Sequence, residues 1–173
     1  MNKKYIIVFI SITLSILSIE YGLFLRSIDS SFLRNHNQVI EEIALTNNII
    51  DKNSIYIKKE NHYKEEIIKL YLYEYRNQLY LQVFKKDNSS RYHTFAFFDP
   101  ISSNQTMLYY YNIHIDNQNL VVAGGYNQNN YIDHYKLYDS NINEINKIIS
   151  NQKYILDIYT CDTVLSVSAY GSD

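Results

Sequence analysis

From Leu70 to Phe84 the side chains alternate in character with a period of two, a pattern that fits strands and not a helix. Leu70 and Leu72 fall on one face, and Tyr71, Tyr73 and Tyr75 on the other. Beyond Asn77-Gln78, Leu79, Leu81 and Val83 oppose Tyr80, Gln82 and Phe84. Asn accepts the positive φ of a two-residue turn, so Glu66–Arg76 and Leu79–Lys86 read as a tight hairpin. The period of two continues downstream. Asp87–Ser90 reads as a turn, Arg91–Phe98 as a strand and Asp99–Asn104 as a loop. Met107–Asp116 and Leu120–Gly124 form a second hairpin across Asn117–Asn119. Gly124-Gly125 reads as a break, Asn127–Asn130 as a turn and Tyr131–Tyr138 as a strand. Lys153–Cys161 and Thr163–Tyr170 are expected to close an antiparallel meander.

Two stretches carry the helical period instead. Over Ser27–Ile50, Phe32, Leu33, His36, Val39, Ile40, Ile43 and Ala44 form one stripe. Asp29, Ser30 and Ser31 are its N-cap candidates, and Asn47, Asn48, Asp51 and Asn53 mark its end. Later, Asn141 with Glu144 suggests a capping box, and Ile142, Ile145, Ile148 and Ile149 give an apolar stripe. The fold class predicted is therefore α+β: a membrane helix, then an antiparallel sheet whose aliphatic face packs on one N-terminal and one late helix.

The amino terminus suggests a tether. Lys3 and Lys4 precede Tyr5–Leu25, interrupted only by Glu20. A helix over that stretch would be ~31 Å long, the thickness of a bilayer's hydrocarbon core. No pair of small residues follows the apolar core as a cleavage site requires, so residues 1–26 read as an uncleaved signal anchor. Glu20 lies close enough to the far interface to reach headgroup water. Lys3 and Lys4 before the span, against Arg26 and Arg34 after it, place the amino terminus inside and residues 27–173 outside the cytoplasm as a single domain. Cleavage of the leader would make that domain secreted.

Composition excludes several functions. One Cys in 173 residues permits neither a disulfide framework nor a Cys-based zinc site. A formal net charge of -2 gives no electrostatic footprint for nucleic acid. His36, His62, His93, His114 and His134 lack metal-ligand spacing; His62 has no second His to complete an H-E-x-x-H pattern. Asp162 beside Cys161 would raise a thiol's pKa and not activate it. Neither a nucleophile elbow nor a phosphate-cradling glycine loop is present. No enzyme, cofactor or metal is expected.

The 19 Tyr carry the remaining information. Tyr offers rigid area and a polar tip, which recognition surfaces favour. It also has high strand propensity and stabilises sheets through cross-strand pairs, a purely architectural account that stays open. On the recognition reading, Tyr71, Tyr73, Tyr75, Tyr80, Tyr110, His114 and Asp116 form a surface that binds a protein partner, either a toxin or an envelope component. A membrane-tethered immunity or inhibitor protein fits this pattern, since such proteins need no catalytic residues.

A sheet hung on an amino-terminal membrane helix also resembles the pilin and pseudopilin plan, which implies an accessory subunit of an envelope complex. The motif departs from that family: Glu20 falls late in the apolar run and no Gly precedes Tyr5.

Overall fold

The computed structural model describes residues 32–102, 105–141, 143–161 and 163–171. The expected membrane helix, Glu20 and the N-cap candidates at residues 29–31 all lie outside the described residues. No helix among the described residues is long and apolar enough to cross a membrane. The chain divides into two compact units.

The first unit, Met1–Lys52 with Asn88–Tyr92, contains the helix α1, His36–Thr46. It is shorter than the apolar stripe predicts. Leu33 adopts φ 46°, outside the helical region, and Asn35 becomes the N-cap, accepting from the Gln38 backbone N–H at 3.1 Å. The Gln38 side chain accepts from the Arg34 N–H at 2.7 Å, so both partners quiet free donors at the helix start. At the other end Asn48 takes φ 54°; Ile49 N–H donates to the Ala44 carbonyl at 2.8 Å and Asn48 N–H to Leu45 at 3.4 Å. This is a Schellman closure with Asn where Gly is usual. Val39, Ile43 and Ala44 form its buried stripe.

The second unit, Asn53–Asp87 with His93–Asp173, is all strand apart from short turns. Among the described residues, ten strands build three antiparallel sheets. Sheet A runs in the order β1 (Tyr56–Tyr63), β2 (Ile68–Tyr75), β3 (Gln78–Lys86), β4 (Tyr92–Ser102). Sheet B places β6 (Gln118–Tyr126) between β5 (Met107–Ile115) and β9 (Tyr154–Thr160). Sheet C places β7 (Ile132–Asp139) between β10 (Val164–Gly171) and β8 (Glu144–Ile148). The antiparallel sheets and α+β class agree with the sequence reading.

Turn chemistry sets the registers. Arg76 and Asn77 have φ 51° and 58°, and Asp116 and Asn117 have 50° and 61°, so each pair forms a two-residue hairpin turn. Tyr75 therefore faces Gln78, and Ile115 faces Gln118. Both turns begin one residue earlier than expected, because Asn occupies their second position.

Sheet B is the middle layer. Leu70, Leu72, Leu81 and Val83 of sheet A pack with Ile113, Leu120, Val122 and Leu156 of sheet B. Val121, Ala123 and Ile155 turn the opposite way, onto Tyr135, Leu137 and Ile149. The aliphatic face of sheet A thus packs on a second sheet and not on a helix, a correction to the sequence reading. Alternate β6 residues feed separate cores, which is why Leu120–Gly125 is apolar or small throughout and buried on both faces.

Three further expectations are corrected. Gly124-Gly125 is not a break but lies inside β6, near its C-terminal end; a Cβ on Gly125 would sit 2.1 Å from the Met107 carbonyl oxygen, so the glycine permits close approach of β5. β4 continues through Asp99 and Pro100 to Ser102, which it can do because it is an edge strand, where a missing N–H costs no ladder bond. The late helix is the strand β8. Glu144–Ile148 pairs with β7, and the Asp139 carboxylate takes the Asn141 and Asn143 N–H groups at 2.9 and 2.8 Å, drawing the chain into a turn. β-branched Ile at every third position suits either structure, and the open edge of β7 decides.

Where the sheets meet, side chains take over from the ladder. The Asn61 amide donates to the Leu156 carbonyl at 3.0 Å, joining β1 to β9. Lys59 adds bonds to the Gln152 side chain at 2.8 Å and the Tyr154 carbonyl at 3.2 Å. Asn112 joins β5 to β10 through Val164.

Candidate functional site

The face of sheet A turned away from sheet B carries most of the expected surface. Pairing places Tyr73 opposite Tyr80 and Tyr71 opposite Gln82, so the β2 tyrosines meet aromatic and polar side chains of β3 on this face. Tyr73 and Tyr80 stack with ring centroids 5.4 Å apart, and Tyr80 stacks in turn on Phe97 of β4 at 5.8 Å. Tyr75 leans against Tyr80 at 6.3 Å, and the Arg76 guanidinium lies 5.0 Å from the Tyr75 ring. One aromatic row thus crosses three strands, with a cation at its end.

Half of this face is core. Tyr71 and Tyr73 are only 3% and 1% exposed, and Gln82 and Phe84 are buried with them. Tyr71 meets Phe84 edge to face at 5.9 Å. Gln82 donates to the Thr94 hydroxyl at 2.8 Å, which gives its buried amide a partner. Burial, then the neighbouring Tyr80, pushes the Tyr73 hydroxyl above the ordinary Tyr range. Toward β4 the row opens to solvent: Phe95 is 42% and Phe97 45% exposed, with Tyr75 and Tyr80 half-buried.

The other expected residues are elsewhere. Tyr110 packs against the core between sheets B and C. His114 and Asp116 are exposed at the β5–β6 turn, where His114 Nδ1 lies 2.8 Å from Asn119 Oδ1 and Asp116 pairs with Lys85. The structure therefore brings together Tyr71, Tyr73, Tyr75 and Tyr80 but not Tyr110, His114 or Asp116. It adds Phe95, Phe97 and Arg76. The signal for Phe97 was in the sequence, since Ala96 and Phe98 face the inner core and Phe97 alternates with both.

A second polar cluster lies between sheets B and C. The Tyr135 hydroxyl is 2.8 Å from an Asp157 oxygen and 2.6 Å from the Tyr159 hydroxyl. Burial is the largest influence on both phenols. It raises Tyr135 beyond any ordinary Tyr value and, with the Asp157 charge, lifts Tyr159 to about 12, against the opposing pull of its bond to Tyr135. Both hydroxyls are neutral at physiological pH, and the cluster is a buried structural tie.

Among the described residues no three His, Cys, Asp or Glu side chains are grouped to hold a metal ion. No family model, curated protein or solved structure matches this chain.

Proposed function

We propose that the protein is a binding module that acts by protein–protein contact, through the open end of the aromatic row: Tyr75, Arg76, Tyr80, Phe95 and Phe97. The observation that carries this reading is the exposure of Phe95 and Phe97 on the edge strand of sheet A, with Phe97 stacked on Tyr80. Aromatic side chains with an Arg are what the centres of protein interfaces are enriched in, whereas nucleic-acid-binding domains are strongly basic and this chain carries a formal net charge of -2. Stacking fixes Tyr80 before contact, so little side-chain freedom is lost on binding.

The module's place is outside the cytoplasm, held at the membrane by Tyr5–Leu25, and its activity is that of an immunity or inhibitor protein that occupies a toxin. A toxin gene beside this one would support that partner. Genes for envelope assembly in the same position would support the accessory-subunit reading instead.

The experiment is photo-crosslinking in intact cells from a benzophenone amino acid at position 97, with position 148 on sheet C as the control. One defined partner from position 97, lost in F95S/F97S/Y80S chains that melt at the wild-type temperature, is the expected result. Equal crosslinking from both positions, or retention of the partner by the triple variant, would sink the proposal.

A further inference from the structure

A cleft of about 580 Å³ opens where the ends of sheets B and C meet, apart from the aromatic row. The β5–β6 turn brings Asn117, Gln118 and Asn119 to it. The end of β7 and the loop after it contribute Asp139 and Asn143, β8 contributes Ile145, and the end of β9 contributes Thr160 with Cys161 just beyond. The volume lies within the range of small-ligand sites, about 300–1,000 Å³.

The chemistry of this lining is narrow. Four carboxamides and a hydroxyl offer donors and acceptors without charge. Asp139 is the one ionisable carboxylate among the described lining residues. It is enclosed by its own loop, taking the Asn143 amide at 2.9 Å as well as the two backbone N–H groups. No Lys or Arg among the described residues lines the cleft, so an anion would find neutral donors but no positive charge to offset Asp139's repulsion. A single carboxylate already holding three donors is a poor seat for a divalent cation, which takes six or more oxygens or a near-ideal octahedron. A neutral ligand rich in hydroxyls or amides remains, with Ile145 and Cys161 suited to the C–H face of a sugar ring.

The polar groups are held in place before any ligand arrives. Asn119 Oδ1 is engaged by His114 at 2.8 Å, which leaves its amide donors to a ligand. The Thr160 hydroxyl lies 2.7 Å from that of Tyr63. Tyr63 leads directly into the β1–β2 turn, where Lys64, Glu65 and Glu66 take φ 46°, 49° and 66° in succession. Backbone strain of this kind gathers near functional sites.

We propose that this cleft is a second site, independent of the aromatic surface, that binds a neutral polyhydroxylated ligand of the glycan class. No aromatic ring lines it among the described residues, so binding is weak, with a Kd of about a millimolar. The chain has one Cys and it lines the cleft, which gives a site-specific reporter.

The test measures N-ethylmaleimide labelling of Cys161 in the full-length chain, in a sugar-free detergent, with chitotriose or maltotriose as probe. Slowing by about fivefold at a sugar concentration near four times Kd is expected from simple occupancy. Asn119→Ala should abolish the protection, so that the labelling rates with and without sugar become equal. As a readout independent of Cys161 reactivity, the side-chain amide resonances of Asn117 and Gln118 should shift and saturate with the same sugar. No protection and no shift with either sugar overturns the proposal. So does equal protection by inorganic phosphate or by trialanine, which would show that the cleft does not select hydroxyl-rich ligands.

Discussion

The side-chain amide of Asn112 pairs with the backbone of Val164 as a strand residue would: its Nδ2 donates to the Val164 carbonyl at 3.0 Å, and its Oδ1 accepts the Val164 N–H at 2.8 Å. One side chain thereby closes the gap between β5 and β10. Asn112→Ala should lower stability by about 1–2 kcal/mol in urea unfolding, the value of two ordinary hydrogen bonds at a partly wet site. Asn112→Asp should cost more, because a carboxylate would face the Val164 carbonyl. Hydrogen exchange at the Val164 amide would rise in both. An unchanged exchange rate there would show that the pairing is absent in solution.

The two neighbouring glycines of β6 should behave differently. A Cβ on Gly125 would lie 2.1 Å from the Met107 carbonyl oxygen and 3.0 Å from Leu108 Cα, both backbone atoms that cannot step aside. A Cβ on Gly124 would lie at an ordinary 3.6 Å from Leu81. Gly125→Ala should therefore destabilise by about 3 kcal/mol or prevent folding, in the range of overpacked cores, while Gly124→Ala changes stability by less than about 1 kcal/mol. Equal melting temperatures for the two variants would contradict the register of β5 on β6.

The β1–β2 turn holds three successive non-glycine residues in the left-handed region. Glu65→Gly should raise stability by about 0.5–1 kcal/mol, since relief of roughly 1–2 kcal/mol of strain outweighs the extra freedom of the unfolded chain. Asn48→Gly at the end of α1 should help by only a few tenths of a kcal/mol, because Asn already tolerates that conformation. Differential scanning calorimetry would distinguish the two gains.

Stability should fall at both ends of the pH scale, for separate reasons. The bond from the Asn143 side chain, aided by two backbone N–H groups, holds Asp139 below the usual carboxylate range against the cost of burial. A depressed acid stabilises the fold above its unfolded pKa, near 4, and that contribution is lost as pH drops through its folded value. Asp139→Asn should flatten this acid limb. Tyr159, raised to about 12 first by burial, gives the opposite sign: the unfolded chain releases the proton near pH 10, so stability declines between about 10 and 12. Urea titrations across pH would check both limbs, and a Tyr159→Phe chain that kept the full alkaline decline would refute the second.

How much of this was legible in the sequence follows from what local pattern can carry. The period of two and the Asn-containing turns located eight of the ten strands seen among the described residues, because a hairpin is decided by neighbours in sequence; β1 was not delimited, since the polar run Lys58-Lys59-Glu60-Asn61 blurs its alternation. The segment Glu144–Ile148 was misread because Ile at spacings of three or four satisfies a helix stripe, while its preference for a strand comes from β7, a non-local partner. The Tyr-rich face was half legible for the same reason. Alternation correctly put Tyr71, Tyr73, Tyr75 and Tyr80 on one side of sheet A, but alternation cannot tell a wet face from a second core. Tyr71 and Tyr73 are buried, and Tyr110 faces sheet C. The seams through Asn61 and Asn112 leave no periodic trace at all.

The strand order has a consequence for synthesis and refolding. Sheet A is complete once β4 has left the ribosome, since each of its strands pairs with its neighbour in sequence. Sheets B and C are not: β6 waits for β9, and β7 waits for β10. Until Tyr154–Gly171 emerges, the middle layer has an open edge, and the Val121 side of β6 lacks Ile155. A nascent chain stalled before Tyr154 would therefore be a sheet with a sticky appendage and not a shortened protein, so the last two strands act as the kinetic latch of the fold.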